Sequence, residues 1–279
     1  MPREFARDCQ FQKLLAGAKD ICLPGLMLEM ATDAYPAVDV LGCLAEIERL
    51  GAAAARAVKS SLNEQRGLQG SLHEISRLLY EQEGFAGNTE EYYDPRNSYL
   101  NEVLRRRTGI PLSLGILYMS VAYRAGIPMY GIATPGHFMI AARHAGRAWY
   151  VDPFQAGEVL DLAECRVRVE ANLGQDCGDE YFRPATHLEI AVRTLRNLKA
   201  AYARADRWPE VLPVQRRLVL MLPDLLDERR DLGLVLLRNG AASQALPLFE
   251  EYLSKCGPKE AEVLKPYLST AKRMAAEMN

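Results

Sequence analysis

The chain has 279 residues, 49% of them hydrophobic and 25% charged, which is typical of a globular protein long enough to bury a large core. Lysine and arginine number 34 and aspartate and glutamate number 36, so the formal net charge of −2 excludes the strong basic field of a nucleic-acid-binding protein. The longest apolar stretch, Ile110 to Ala122, is too short and too often interrupted by polar residues to cross a bilayer. We expect no nucleic-acid partner and no membrane insertion.

The N-terminus and the cysteines bear on the cellular compartment. The first 20 residues mix both charge signs and have no apolar segment before a small-residue cleavage site, so we expect a cytoplasmic protein. The six cysteines form no Cys-x-x-Cys pair, and scattered thiols of this kind are mostly small buried hydrophobic residues. We predict no metal site and no cofactor. The oligomeric state stays open.

Hydrophobic residues recur at helical spacing through roughly the first 80 residues. Ser71, with Glu74 three residues later, has the pattern of a capping box and is predicted to be an N-cap. A polar, glycine-containing loop is predicted from Glu81 to Tyr93. The helices predicted before it are residues 5–18, 38–57 and 71–82.

Two further helices are predicted next. Asp94 and Pro95 have the residue types of a helix cap and a first helical position, and Gly109 is a terminator. A second helix is predicted from Pro111 to about Ala125. It has no wide polar face, so we expect it to be buried on nearly all sides.

Three short strand-like runs follow this central helix: Met129–Ala133, His137–Arg143 and Ala148–Asp152. The last two are joined by a glycine-bearing connection and predict a hairpin. His137 and Asp152 then lie at the open ends of paired strands, where their side chains can meet. Residues 157–185 have a mixed pattern to which we assign no structure.

From Thr186 the pattern becomes continuously helical and contains an internal repeat. Residues 202–212 match residues 236–246 at an offset of 34. A 34-residue period built from two helices is the signature of tetratricopeptide repeats. About two such units are present, fewer than a free-standing array needs, so we expect them to lean on the preceding domain.

A buried helix followed by strands carrying His137 and Asp152 is the layout of a cysteine-peptidase-type triad. Such a site needs a nucleophile at the helix start, where the dipole lowers a thiol pKa and backbone N–H groups hold an oxyanion. Ser113 is the candidate there, and Cys43 or Cys165 folded back to the histidine is a weaker variant. The alternative interpretation is a strand-end histidine, a turn aspartate and a small serine in a tightly packed helix.

The stretches NSYLNEVLRRRTGIPLSLGILY, GIPMYGIATPGHFMI and WYVDPFQAG resemble the SirB family of bacterial transglutaminase-like proteins, and the resemblance extends into the C-terminal repeats. It implies a transglutaminase-like core in which His137 falls on the catalytic histidine and Asp152 on the carboxylate. Counting back from Gly126 along the superfamily pattern lands on Pro111, where the superfamily has its cysteine, with Ser113 two positions away. The family has no settled reaction and takes its name from a proposed regulatory role.

We therefore predict an α+β fold of three parts. Residues 1–90 form a helical region packed on the core, residues 91–185 a transglutaminase-like core, and residues 186–279 tetratricopeptide-like helical hairpins.

The first functional hypothesis is a non-catalytic regulatory protein that binds a protein or peptide partner through its cleft and its helical-repeat surface. The second is a hydrolase or acyltransferase that uses Ser113, His137 and Asp152. Tyr93, Asn97 and Asn101 lie in the most family-specific stretch and are candidate binding residues, although capping and helix-surface roles explain the two asparagines equally well.

Overall fold

The structure, a computed structural model, describes residues 5–63, 67–132, 134 and 136–277, with the side chains of residues 60–63 excepted. The chain divides into two compact units between Thr194 and Leu195, and this division falls within one helix. Helices predominate and a small antiparallel sheet accompanies them, so the predicted α+β class is confirmed. The predicted domain limits at residues 90 and 185 stay predictions.

Helices make up most of the first unit. A π-helix at residues 77–82 continues α4, and 3₁₀ turns occupy residues 95–97 and 179–182. The α-helices are α1 (Cys9–Leu15), α2 (Leu23–Ala31), α3 (Val40–Asn63), α4 (Gly67–Ser76), α5 (Leu100–Arg106), α6 (Pro111–Arg124), α7 (Leu162–Leu173) and α8 (His187–Arg204), whose residues from Leu195 onward belong to the second unit.

Strands form two sheets in this unit. A short parallel pair joins β1 (Ala86–Gly87) to β2 (Thr108–Gly109). The main sheet is an antiparallel meander in the order β3-β4-β5-β6, so each strand pairs with the next one along the chain. Its strands are β3 (Met129–Ile132), β4 (Met139–His144), β5 (Arg147–Asp152) and β6 (Glu158–Leu160).

Helix α6 is the centre of the first unit's core. Pro111 stands at its first position, where a missing N–H costs nothing, and every residue from there to Ala122 is buried. The helix ends at Arg124, and Gly126 follows with a φ of +84°, a left-handed conformation that glycine adopts without strain. The predicted central helix is confirmed, and its burial on all sides explains why it carries no polar face.

Several local predictions are wrong in detail. Ser71 is not an N-cap, because α4 already begins at Gly67 and the Ser71 hydroxyl bonds back to the Gly67 carbonyl at 3.0 Å. Asp94 does cap a helical turn, but it is a 3₁₀ turn that breaks before α5 starts. His137 lies two residues before its strand instead of opening it.

The second unit consists of helical hairpins. Trp208 and Ala242 begin equivalent helices, α9 and α11, 34 residues apart, which confirms the predicted repeat. Its core joins α10 to the two helices that follow. The helices are α9 (Trp208–Met221), α10 (Leu226–Arg238), α11 (Ala242–Leu253) and α12 (Pro258–Glu277).

A buried carboxylate ties three helices of the second unit together. Glu228 of α10 is 5% exposed and accepts hydrogen bonds from Arg196, Lys199 and Gln215. Burial by itself would raise the pKa of Glu228, but these partners hold it below its ordinary value. The charge is thus compensated, as a buried carboxylate requires.

Over the part of the chain that the structure describes, no helix combines the length and the apolar character that a membrane crossing needs.

Candidate functional site

The β4–β5 hairpin brings His137 and Asp152 together. Ile140 pairs with Val151 in this hairpin, so the residues just before β4 lie beside the last residue of β5. The Nε2 atom of His137 lies 2.9 Å from Oδ2 of Asp152. The two side chains are therefore in hydrogen-bond contact, and their catalytic role stays a prediction.

Two hydrogen bonds hold the backbone just before β4. The hydroxyl of Thr134 donates a hydrogen bond to the carbonyl of His137. Nη1 of Arg193, on α8, donates to the Thr134 carbonyl at 2.8 Å. Thr134 is fully buried and His137 is 9% exposed, so both hydrogen bonds are shielded from water.

Asp152 accepts hydrogen bonds on both carboxylate oxygens and has no exposed surface. Oδ2 accepts from His137 and from Nη1 of Arg168, the latter at 3.0 Å. Oδ1 accepts from the backbone N–H groups of Phe154 and Gln155 at 3.0 and 3.2 Å. Four donors thus compensate a carboxylate that burial would otherwise destabilise.

These contacts determine the charge state of Asp152. Burial raises the pKa of the Asp152 carboxyl, but the hydrogen bonds from His137 and Arg168 outweigh it and leave the pKa below its ordinary value. An ionised carboxylate can only accept, so Nε2 of His137 donates the hydrogen of their bond. Nδ1, the other ring nitrogen, has no hydrogen-bond partner among the described residues.

Arg168 is a site residue that the sequence pattern did not reveal. Its Nη1 donates to Asp152 and also to Oε2 of Glu158, at 2.7 Å. Arg168 lies on α7, in the segment to which we assigned no structure. A signal was present: Asp161 and Glu164 form a reciprocal capping box, with distances of 2.8 and 3.0 Å, that predicts a helix from Leu162.

The pair opens into a cleft of about 590 Å³, within the range of small-molecule and peptide-side-chain sites. One wall is α7 and the other is the segment after β5. The cleft is lined by His137, Asp152, Phe154, Gln155, Glu164, Val167, Arg168, Ala171 and Asn172.

Comparison with known proteins identifies this architecture. A family model described as the transglutaminase-like superfamily matches residues 43–196, more than half of the chain. The chain belongs to this superfamily. A second model, described as the tetratricopeptide repeat, matches residues 198–274 and covers the helical hairpins of the second unit.

Relatives of this transglutaminase-like chain include bacterial proteins described as UPF0162 proteins. One from Xylella fastidiosa is 40% identical over 184 residues, which cover 64% of this chain and 66% of that protein. One from Vibrio cholerae is 30% identical over 193 residues, covering 68% and 71%. The match thus spans slightly less than two thirds of the Xylella protein, and the SirB affiliation stays a prediction.

A more distant likeness reaches into eukaryotes. The mouse protein described as F-box only protein 21 is 36% identical over 119 residues, which cover 39% of this chain and 19% of that protein. No solved structure matches the chain.

The transglutaminase-like pattern places a nucleophile at the start of α6, and Ser113 is the candidate there. Ser113 is 3% exposed, and its hydroxyl donates to the carbonyl of Asn97 at 2.5 Å, with the Ile110 carbonyl at 3.2 Å. The oxygen also accepts from the Ile110 N–H at 3.1 Å. The hydroxyl therefore caps the helix, and the structure gives it no hydrogen bond to His137.

We expect Ser113→Ala to lower the free energy of unfolding by about 1–2 kcal/mol, because a buried N–H and a buried carbonyl lose their partner. Ser120→Ala is the matched control: Ser120 is also buried in α6, but its hydroxyl only bonds back to the Ile116 carbonyl, so its loss should cost about 0.5 kcal/mol or less. Urea unfolding followed by Trp149 fluorescence, in a Trp208→Phe background, measures both. Equal losses would contradict the capping role.

The thiols considered as nucleophiles are in unfavourable surroundings. Cys165 lies on α7 with no exposed surface, and burial together with the charge of Asp152 raises its pKa to about 12. Burial and the nearby Asp39 also raise the pKa of Cys43. Because the thiolate is the nucleophilic form, neither environment activates its cysteine.

Tyr93, one of the candidate binding residues, connects with the cleft through aromatic contacts. Its ring meets Tyr92 edge-to-face at 5.4 Å, and Tyr92 meets Phe154 in the same way at 5.9 Å. Phe154 lines the cleft beside His137. Tyr93 is 54% exposed, so its ring remains accessible to a ligand.

The two candidate asparagines differ. Asn97 is fully buried, and its Nδ2 donates to the carbonyls of Glu91 and Tyr92 at 2.7 and 3.3 Å, so it holds the loop that carries the tyrosines. Asn101 is half-buried, and its Oδ1 has no hydrogen-bond partner among the residues that the structure describes. A direct binding role for either residue stays a prediction.

Proposed function

We propose that this chain is a non-catalytic regulatory or scaffold protein that binds a peptide segment of a protein partner in the cleft beside His137 and Asp152. The observation that carries the proposal is the engagement of Ser113. A serine nucleophile depends on an adjacent base to take its proton. The Ser113 hydroxyl donates instead to backbone carbonyls, of which the carbonyl of Asn97 is the nearer at 2.5 Å.

The surroundings of the base support the same proposal. Across the described part of the chain, Nδ1 of His137 has no hydrogen-bond partner, and the thiols of Cys165 and Cys43 have raised pKa values. A site with a retained base and no attacking group still keeps a shaped, polar cleft. Such a cleft suits recognition, because buried hydrogen-bonding groups left open discriminate strongly between ligands.

The helical hairpins contribute a second surface to the proposal. Tetratricopeptide repeats in general mediate protein–protein interactions, and stacked helix pairs build extended binding surfaces. We propose that the partner also engages this surface and that the complex acts in the cytoplasm.

One observation favours an alternative. The His137–Asp152 hydrogen bond of 2.9 Å has the geometry of a working base and its orienting carboxylate. The alternative function is a hydrolase or acyltransferase in which Ser113 turns from its capping position toward His137 when substrate binds.

Labelling and peptide selection distinguish the two functions. The full chain and its His137→Gln variant are treated with a fluorophosphonate and with iodoacetamide, and labelled sites are located by mass spectrometry. We expect no Ser113 labelling and no difference between the two proteins, because no residue is activated by the ring. Labelling of Ser113 that disappears in His137→Gln would establish the alternative.

The same proteins are then used to select peptides from a displayed random library. We expect peptides that bind the full chain and lose affinity at least about tenfold with a further variant, His137→Phe, which keeps an aromatic ring and removes the accepting nitrogen. His144→Ala is the matched control, because His144 is exposed on the hairpin away from the cleft lining. A library that yields no peptide dependent on His137 would rule out the binding function.

A further inference from the structure

Several hydrogen-bond acceptors that line the cleft have no partner. His137 is 9% exposed, and its Nδ1 accepts no hydrogen bond from the described residues. Glu164 accepts the Asp161 N–H through Oε2, which leaves Oε1 open. Asn172 donates through Nδ2 to the Arg168 carbonyl, so its Oδ1 also remains available.

The charged side chains that line the cleft carry a net negative charge. Asp152 and Glu164 line it together with a single cation, Arg168. Arg168 is shared with a third carboxylate, that of Glu158, which is 48% exposed. The guanidinium of Arg168 is therefore already paired with Asp152 and Glu158, and it forms no ion pair with Glu164. An anionic ligand in the cleft would meet repulsion from Glu164 that no cation offsets.

The end of α7 adds to this field. Ala171 and Asn172, in its last turn, line the cleft, and the helix stops at Gly174. The last carbonyls of a helix carry partial negative charge and favour cations nearby. The helix dipole and the carboxylates thus both make the electrostatic potential in the cleft more negative.

Apolar and aromatic groups complete the lining. Val167 is 67% exposed, and it lines the cleft together with Phe154. Lysine and arginine carry an aliphatic stem below the charged group, and the stem packs on such surfaces. A cation also gains from contact with an aromatic face.

We propose that the cleft receives a basic side chain, lysine or arginine, from the peptide of a protein partner. The N–H groups of the ligand are accepted by Nδ1 of His137 and by the carboxylate of Glu164, and the stem lies against Val167 and Phe154. This inference rests on the proposed function, since it names the class of peptide that the same cleft selects.

Capped pentapeptides that differ only at the central residue test the inference. The full chain is titrated calorimetrically with peptides carrying lysine, arginine, norleucine or glutamate in a glycine–alanine background. Norleucine keeps the aliphatic stem and lacks the charge. We expect the two basic peptides to bind at least about tenfold more tightly than the other two, because only they supply charged donors.

Glu164→Gln isolates the contribution of the carboxylate. Glutamine at this position keeps the capping box of α7, so the helix stays formed while one negative charge is lost. We expect the lysine peptide to bind about fivefold more weakly to this variant. Glu81→Gln removes the same charge from an exposed residue outside the cleft lining and should leave the affinity unchanged.

The outcomes separate this inference from the function on which it rests. Equal affinity for the norleucine and lysine peptides, with binding lost in His137→Phe, would overturn the basic ligand and leave the peptide-binding function intact. A lysine preference that Glu164→Gln does not reduce would overturn the assignment of the acceptor. No binding of any peptide, selected or synthetic, would overturn both.

Discussion

Replacing Asp152 with alanine is expected to lower the free energy of unfolding by about 3–5 kcal/mol, among the largest effects of any single substitution in this chain. The carboxylate has no exposed surface and accepts from four donors. Removing it leaves the His137 ring and two backbone N–H groups without their acceptor, while Arg168 keeps only its bond to Glu158. Each buried donor that is left without an acceptor costs about 1–3 kcal/mol.

Urea unfolding measured through Trp149, in the Trp208→Phe background, tests this expectation. Asp179→Ala is the matched control, because Asp179 also pairs with an arginine of α7, Arg166 at 2.6 Å, but its side chain is 96% exposed. Its loss should change stability by no more than about 0.5 kcal/mol. A similar, small effect for both substitutions would contradict the role of Asp152 as the acceptor that holds the site together.

The depressed pKa of Asp152 gives the effect a pH dependence. A carboxyl whose pKa is lower in the folded state than in the unfolded state stabilises the fold above its unfolded pKa of about 3.9. This stabilisation is lost as the pH falls through the folded value. We expect Asp152→Asn to lack this component, so its stability should fall less than that of the wild type between neutral pH and pH values below about 3.9.

The second large effect is expected at Phe138, which follows His137 and has no exposed surface. Its ring fills the space between Gly115 of α6 and Gly131 of β3. A Cβ placed on Gly115 would lie 2.9 Å from the ring, and one on Gly131 would overlap it. Phe138→Ala should therefore lower the free energy of unfolding by about 3–5 kcal/mol through lost burial and a cavity between helix and sheet.

A double-mutant cycle with Gly131→Ala tests this packing. In the wild type the new methyl group collides with the ring, so Gly131→Ala should be destabilising. In the Phe138→Ala background the methyl group enters the vacated space, and its cost should fall by at least about 1 kcal/mol. Additive costs would show that the ring and the glycine are not in contact.

The strongest sequence signals were those that depend on local chemistry. Pro111 and Gly126 bracket α6 because one residue suits a helix start and the other a left-handed turn. The 34-residue period predicted the hairpins of the second unit because each repeat buries the same positions. The proximity of His137 to Asp152 followed from the hairpin, whose register is a short-range property.

A local pattern misled where the helix began earlier than the pattern indicated. Ser71 and Glu74 match a capping box, yet α4 extends one turn further back to Gly67 and places Ser71 inside the helix. The chemistry of a capping residue is the same wherever it stands, so the pattern alone cannot locate the first helical residue.

The sequence by itself determined the α+β class, the buried helix, the strand hairpin and the repeats, because periodicity and turn residues act over a few positions. The tertiary structure alone decided the state of the site. Arg168 reaches Asp152 only because α7 lies beside β5, and Ser113 is engaged only because α6 starts beside the carbonyl of Asn97. Such contacts depend on how separate elements pack, and spacing along the chain does not encode which polar group meets which.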